Sequence, residues 1–400
     1  MLIFNCPTRL ALLLCLPLFT TAQSASFLVV SDIHLDDAKE QSAIRPLARD
    51  AGRDTWAVSQ QEIKSLLCPT DSTRPPRFLI FLGDLPMHAS ATAIPKTMTD
   101  AGQVLGDLRR LAVACNTPLI YVPGNNDSPD SDYANFSERL FQYDSDGARH
   151  WPVIGSNCSQ NKAVITPGSD DLLAKLGCYS AWPLGPQGRL RVIVLNTVLF
   201  TWNHKVADRS EQCKEELTWL GHQLHQVRTG GESALIVMHV PPGNDVFRKT
   251  TFWDTTIAIA NTTIQNNFLD TIDRYRANII GLLGSHTHMD GFKRLYNRGG
   301  QFTNLFISVP AVAPSLLNNS ALKLISYDGK FHLTRSTTLY LPSGEQQWRS
   351  IPVGAPGRTL KQYIAGLSDD QLDKIVGEIY NTGKTVPNLF GYDTDVRRTR

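Results

Sequence analysis

Residues Phe78–His88 read FLIFLGDLPMH. The apolar run Phe78–Leu82 drives a strand into a core, and Gly83 then lets the backbone turn sharply. Asp84 is thereby delivered at the C-terminal end of a strand, where open α/β sheets place their ligand sites. Four residues on, His88 returns toward the same region. An aspartate after a buried strand is often no more than a helix N-cap. That bland reading loses ground because other strand ends in the chain carry His, Asp or Asn in the same way.

Working outward, Phe27–Ser31 is a short buried-type strand ending in Asp32-Ile33-His34. Helical spacing follows over Asp54–Leu67 and again over Thr99–Ala114. Leu119–Val122 reads as a strand ending in Pro123-Gly124-Asn125-Asn126-Asp127. The pattern weakens between Ser128 and Gln187, apart from a short helix near Tyr133–Phe141, and predicts loops over one rim of the sheet. Leu190–Asn196 is a strand and Glu211–Val227 a helix. Ala234–Met238 is a strand ending in His239, and Ile264–Tyr275 is a helix. Asn278–Leu283 is a strand ending in Gly284-Ser285-His286-Thr287-His288. The chain then turns to antiparallel strands at Asn304–Ser308, Leu322–Tyr327 and Phe331–Thr338. Helices close it at Leu360–Leu367 and Asp369–Tyr380, and the polar tail Thr394–Arg400 reads as loose. Alternating strands and helices followed by antiparallel strands predict an α/β sandwich.

Bulk properties narrow the class. The 400 residues are 42% hydrophobic and 19% charged with a formal net charge of +2, which gives no electrostatic footprint for a nucleic acid polymer. Arg9, the apolar stretch Leu10–Phe19 and the small residues Thr20-Thr21-Ala22 read as a signal peptide over residues 1–24. The stretch falls short of the ~20 residues of a membrane span, so stable membrane insertion is not expected. A secreted, monomeric protein follows, with residues 25–345 as the catalytic domain and 346–400 as a small C-terminal helical extension. Beyond the leader stand Cys68, Cys115, Cys158, Cys178 and Cys213, which an oxidising compartment would turn into two disulfides and one thiol. Cys68 and Cys115 each end a predicted helix and could meet at one sheet edge, whereas Cys158 and Cys178 bracket a loop; the pairing stays open.

The strand ends together carry Asp32, His34, Asp84, Asn125, His239, His286 and His288. Imidazole nitrogens mixed with carboxylate and amide oxygens suit Zn²⁺, Mn²⁺ or Fe²⁺. Residues two apart on an extended strand point to one side, so each D-x-H or H-x-H pair could converge on one locus. Seven ligands are too many for one four-coordinate ion and suit two ions sharing a carboxylate, ~3.5–4 Å apart, a clamp for a phosphoryl group.

The ordered set D-x-H, G-D, G-N, H and H-x-H resembles the calcineurin-like metallophosphoesterase superfamily over Phe27 to about Gly291. The blocks Gly83-Asp84-x-Pro86-x-His88 and His239-x-Pro241-Pro242-Gly243 are similar to those of the acid sphingomyelinase-like phosphodiesterases. The likeness is to members lacking the saposin domain, since the first motif begins directly after the leader. The resemblance implies a four-layer α/β/β/α sandwich and two divalent ions, zinc first with manganese or iron as alternatives. Asp32, His34, Asp84 and His288 would hold one ion, and Asp84, Asn125, His239 and His286 the other. Asn125 would also stabilise developing charge, and His88 would protonate the leaving oxygen.

Three departures stand out. Asn126 replaces the family histidine that contacts phosphate; it can donate a hydrogen bond to substrate but transfers no proton. Ser285 stands where a glycine is usual, and Met87 where purple acid phosphatases carry an iron-binding tyrosine. The implied activity is phosphodiester or phosphoanhydride hydrolysis on a small nucleotide-type or lipid-headgroup substrate. Phosphomonoester hydrolysis, or a catalytically silent effector or binding protein on the same fold, are the alternatives. Trp182, Trp202 and Trp253 read as core residues, and His150, His204, His222, His225 and His332 as surface or packing residues.

Overall fold

The structure is a computed structural model describing residues 24–37, 50–88, 94–146, 150–155, 164–205, 209–246, 248–315, 318–380, 382 and 393–399. The expected leader, Cys158 and part of the chain around the C-terminal helices lie outside these residues. In chain order, β1 (Ala25–Val30), α1 (Arg53–Leu67), β2 (Leu79–Phe81), α2 (Ile94–Ala114) and β3 (Leu119–Tyr121) open the fold. Next come β4 (Val153–Ile154), β5 (Val164–Ile165), α3 (Asp170–Leu176), β6 (Tyr179–Trp182) and β7 (Leu190–Val194). Helix α4 (Ser210–Gly230) and β8 (Ser233–Val237) precede two small ribbons, β9 (Asn244–Asp245) with β10 (Thr250–Thr251) and β11 (Ala258–Ile259) with β12 (Thr262–Thr263). Then follow α5 (Ile264–Arg274), β13 (Ile279–Gly284), β14 (Gly291–Tyr296), β15 (Phe302–Ser308) and β16 (Ser320–Tyr327). The chain ends with β17 (Leu333–Leu341), β18 (Arg349–Val353), α6 (Leu360–Ala365), α7 (Asp369–Ile379) and β19 (Asp395–Val396).

Two mixed sheets result. One runs β18-β17-β16-β1-β2-β3-β4, and the other β19-β14-β15-β13-β8-β7-β6-β5. The central pairs β1–β2, β2–β3, β7–β8, β8–β13 and β13–β15 are parallel, and each sheet is flanked by antiparallel strands. Strand periodicity sorts the side chains into layers. On β1, Phe27 and Val29 join the core between the sheets, where Val192, Val194, Leu235, Val237, Leu283 and Ile307 arrive from the second sheet. Leu28 and Val30 face the other way and pack with Trp56 and Ile63 of α1 and Leu105 and Leu108 of α2. Ala234 and Ile236 of β8 likewise pack outward on Leu217 and Leu220 of α4 and Phe268 of α5. Helix, sheet, sheet and helix therefore stack as the four-layer α/β/β/α sandwich, with β1, β2, β3, β8 and β13 running parallel within their own sheets beneath the motif residues.

Several details depart from the sequence reading. The tail expected to be loose forms β19, which pairs in parallel with β14. Side chains of α5 also grip its backbone: Gln265 donates to the Arg397 carbonyl at 2.8 Å and Asn266 to the Thr399 carbonyl at 2.9 Å. The stretch read as loops between Ser128 and Gln187 adds the edge strand β4 to one sheet and the strands β6 and β5, the latter at the edge, to the other. Segment 346–400 contributes β18 to one sheet and β19 to the other, while Leu360, Ile364, Leu372 and Val376 of α6 and α7 enter the inter-sheet core. Trp253 is buried, but Trp202 is 41% exposed. Cys68 and Cys115 form a disulfide, and Cys178 and Cys213 are buried free thiols.

Candidate metal centre

The motif residues follow the C-terminal ends of five parallel strands, and the way they converge differs from the sequence expectation. An extended D-x-H or H-x-H pair was expected to share a face through the pleat. Instead the strands stop short, and Asp32 (φ 46°), His34 (φ 45°), Asp84 (φ 60°), His286 (φ 68°) and His288 (φ 61°) all adopt left-handed backbone. Such a conformation is uncommon outside glycine, although Asp and His tolerate it better than most residues. It is held by backbone bonds between loops: Asp32 N–H donates to the Gly83 carbonyl at 3.0 Å, and Ile33 and His34 donate to the Asp84 carbonyl at 3.0 and 3.1 Å. Close approach at Gly124 is obligatory, since a Cβ there would lie 2.3 Å from both the amide and Oδ1 of Asp84.

Asp84 is central. Its Oδ2 lies 3.4 Å from His34 Nε2 and 3.3 Å from His239 Nε2. On one side, Asp32 Oδ1 is 3.8 Å from His34 Nε2 and 3.5 Å from His288 Nε2, while the two imidazole Nε2 atoms are 3.1 Å apart. On the other, Asn125 Oδ1 is 3.0 Å from His239 Nε2 and 2.9 Å from His286 Nδ1. The seven residues form two adjacent donor sets that share the Asp84 carboxylate.

Outer hydrogen bonds fix which ring nitrogen faces inward. His34 Nδ1 is 3.0 Å from the Pro86 carbonyl and His239 Nδ1 is 2.7 Å from the Leu82 carbonyl. A carbonyl only accepts, so both rings carry hydrogen on Nδ1 and turn Nε2 toward the centre. Ser315 Oγ bonds His288 Nδ1, and Ser31 Oγ donates to Asp32 Oδ2 at 2.5 Å. Ser285 has a use of its own: its hydroxyl lies 3.1 Å from His239 Nδ1.

Electrostatics favour a cation at both sets. Burial, reinforced by the His239 imidazole, pushes His286 down to about 4. Burial likewise takes His288 to about 3, so both rings are neutral at pH 7. At His239 burial opposes charge, but the Asp84 carboxylate outweighs it and raises the ring to about 10. His34 is also raised, Asp32 and Asp84 overcoming its burial. The carboxylates thus draw positive charge onto one histidine of each set. Asp32 Oδ1, fully buried, has no hydrogen-bond partner, an expensive arrangement unless a cation completes it. By this orphaned oxygen and the N/O donor set, the residues fit divalent ions of the zinc or manganese type.

His88 sits at the edge of the site. Its ring stacks on His34 with centroids 3.9 Å apart, and its Nδ1 is 2.7 Å from Asp50 Oδ1. Asn126 is buried, donating from its backbone to Asp84 Oδ1 and from its side chain to Asp84 Oδ2, both at 2.9 Å. The sequence reading passed over Asp127. Its carboxylate collects the amides of Gly124 (2.8 Å), Asp84 (3.1 Å) and Leu85 (2.8 Å) and the Tyr121 hydroxyl (2.7 Å), tying the ends of β2 and β3 together. Its place directly after Gly-Asn-Asn was the available signal. Asp50 carried none, being distant in sequence from any motif.

A two-layered sheet core with a paired N/O donor set at its strand ends defines a metal-dependent phosphoesterase. The chain belongs to the calcineurin-like phosphoesterase family, whose model it matches over residues 25–290, and it is a metal-dependent phosphoric ester hydrolase. Among curated relatives it is 26% identical to acid sphingomyelinase-like phosphodiesterase 3b of Mus musculus over 339 residues, covering 77% of this chain and 68% of that protein. It is 23% identical to the cyclic GMP-AMP phosphodiesterase SMPDL3A of Mus musculus over 351 residues, covering 80% of this chain and 73% of that protein. Among solved structures, a dimetal phosphatase from Danio rerio aligns with TM-score 0.46 and 13% identity over 82% of this chain and 98% of that one.

Proposed function

We propose that the chain is a secreted phosphodiesterase with a dinuclear centre, acting on a small soluble phosphodiester or phosphoanhydride such as a nucleotide derivative. The observation that carries this reading is the Asp84 carboxylate, within 3.4 Å of His34 Nε2 and 3.3 Å of His239 Nε2, shared between two donor sets. Asp32, His34, Asp84 and His288 would hold one ion and Asp84, Asn125, His239 and His286 the second. Divalent ions there supply Lewis acidity toward phosphoryl oxygens and hydroxide at neutral pH.

The protein's own groups account for the rest. With Nδ1 of His88 committed to Asp50, Nε2 is the nitrogen that would carry a proton to the leaving oxygen. Asn126 anchors Asp84 through two hydrogen bonds, so the proton-transfer role falls to His88 alone. Two of the relatives are named as phosphodiesterases, which supports a diester over a monoester. The Cys68–Cys115 disulfide supports an oxidising compartment, and no helix among the described residues is long and apolar enough to cross a membrane.

The test is metal content of the purified protein together with turnover of bis-p-nitrophenyl phosphate and p-nitrophenyl phosphate, for wild type and Asp84→Ala. About two equivalents of metal, with diester turnover abolished in the variant, is the expected outcome. Preference for the monoester would replace the diesterase reading. Two ions with no turnover of either ester would favour the silent effector, consistent with the buried Asn126 amide.

A further inference from the structure

We infer that Asp132 and Tyr133 are positioning residues for the second metal. They set the amide of Asn125 and the imidazole of His286 in the ligating orientation. The inference rests on the metal assignment proposed above.

An asparagine amide has two ends of nearly equal shape, and only its hydrogen-bond partners decide which faces a site. Asn125 Nδ2 donates to Asp132 Oδ1 at 2.8 Å. The carboxylate takes the NH₂ end and leaves Oδ1, the end that can ligate, facing His239 Nε2 and His286 Nδ1.

His286 presents a parallel problem with the opposite answer. His34 and His239 have Nδ1 bonded to backbone carbonyls and turn Nε2 inward. His286 alone turns Nδ1 toward the donor set, which requires its hydrogen on Nε2. That nitrogen lies 3.3 Å from the Tyr133 hydroxyl, and the Tyr133 ring meets the imidazole edge-on with centroids 6.2 Å apart. A hydroxyl can accept where a carbonyl would otherwise be needed, so Tyr133 supplies the acceptor for Nε2–H once a cation takes Nδ1.

One turn supplies both partners. Tyr133 N–H donates to the Asn125 carbonyl at 2.8 Å, which pins the turn to the ligand it serves. Tyr133 itself has φ of 56°, left-handed and unusual for an aromatic residue. That conformation lets neighbouring side chains reach two different ligands, and strain of this kind gathers at functional sites.

The experiment measures metal stoichiometry and affinity by equilibrium dialysis against a graded chelator. It compares wild type, Asp132→Ala, Tyr133→Phe and the conservative Asp132→Asn, whose amide oxygen can still accept. Wild type should hold two ions. Asp132→Ala and Tyr133→Phe should keep one at wild-type affinity and bind the other roughly 10–100-fold more weakly, with Asp132→Asn close to wild type. ¹⁵N shifts of His286 should report hydrogen on Nδ1, facing Asn125 Oδ1, in the metal-free protein and on Nε2, facing the Tyr133 hydroxyl, in the zinc-loaded wild type. Wild-type affinity for both ions in the two disruptive variants overturns the inference. So does equal weakening of both ions, which would mean a general loosening of the fold. A wild type that binds no ion after reconstitution overturns the metal assignment itself, and the inference with it.

Discussion

Glu216→Gln should flatten a specific part of the protein's pH–stability curve. Glu216 lies on α4 and is fully buried; its Oε1 accepts from Asn196 N–H at 2.7 Å, and its Oε2 has no hydrogen-bond partner. Burial pushes the carboxyl up from 4.5 to about 8, against the lowering effect of the Asn196 hydrogen bond. Between those values the native state binds a proton that the unfolded chain has released, so stability falls as pH rises. This contribution is fully present below about pH 4.5 and is lost as pH passes through about 8. A shift of roughly 3.5 units at 1.36 kcal/mol per unit amounts to about 5 kcal/mol over the whole window. About 3 kcal/mol of it is lost between pH 5.5 and 8.5, or about 4 °C in Tm for a chain of this size. The nearby thiols do not blur the signal: burial pushes Cys213 up to about 12 and Cys178 also well up, so both stay protonated. The assay is urea unfolding of wild type and variant at half-unit pH steps with metal concentration fixed. The quantity of interest is their difference, in which the metal centre's own titration cancels. Wild type should lose about 3 kcal/mol relative to the variant between pH 5.5 and 8.5. Parallel curves, or a wild type that gains on the variant with rising pH, would refute the argument that Glu216 is buried as the neutral acid.

The remaining predictions concern other supports of the same framework. Lys323→Met removes the ammonium 2.5 Å from buried Asp290, two residues after His288, and should cost about 3–5 kcal/mol by urea denaturation; Lys323→Met with Asp290→Asn should recover part of it. Gly124→Ala places a Cβ 2.3 Å from Asp84 N and Oδ1, so it should destabilise by about 1–3 kcal/mol and lower the metal content measured by elemental analysis. Cys68→Ser with Cys115→Ser opens a crosslink of sequence separation 47 and should cost about 4 kcal/mol, read as a lower midpoint in urea than the oxidised wild type.

How much of the fold could be read in advance followed from how each strand is buried. β1, β2, β8 and β13 are covered on both faces, so they appear as nearly continuous apolar runs that little else explains. β14 escaped because its sequence GFKRLY carries Lys293 and Arg294, yet both are buried. Arg294 is neutralised from outside its own strand, by Asp369 at 2.5 Å and Asp395 at 3.3 Å. Asp395 belongs to β19, so the same ion pair hid two strands at once: the polar tail looked loose only because its partner arginine looked exposed. Charge in a sequence signals a solvated surface until the countercharge is located, and here the countercharge lies about a hundred residues away along the chain.

The centre shows the same division between local and distributed information. The sequence displays the ligand candidates because donor chemistry belongs to each residue: an Asp or His directly after a buried strand is visible wherever it falls. Their convergence was attributed to the pleat of an extended pair, whereas the left-handed φ at Asp32, His34, Asp84, His286 and His288 turns each side chain inward. No residue type announces that conformation. It is imposed by bonds between loops, such as those from Asp32, Ile33 and His34 to the Gly83 and Asp84 carbonyls. The outer partners divide likewise. Pro86 and Leu82 act through carbonyls that every residue has, and Asp132 and Tyr133 stand in a loop without a motif. Only Asp127 adjoined a recognisable block, and its carboxylate is needed where Gly124, Asp84 and Leu85 would otherwise leave three amides buried beside a carboxylate-rich centre. Those amides cannot turn to water, so an acceptor is required at that point, and burial together with the Asp84 charge raises Asp127 to about 6 while it serves. The candidate ligands of this centre are therefore a property of the sequence, and their geometry is a property of the loops that meet around them.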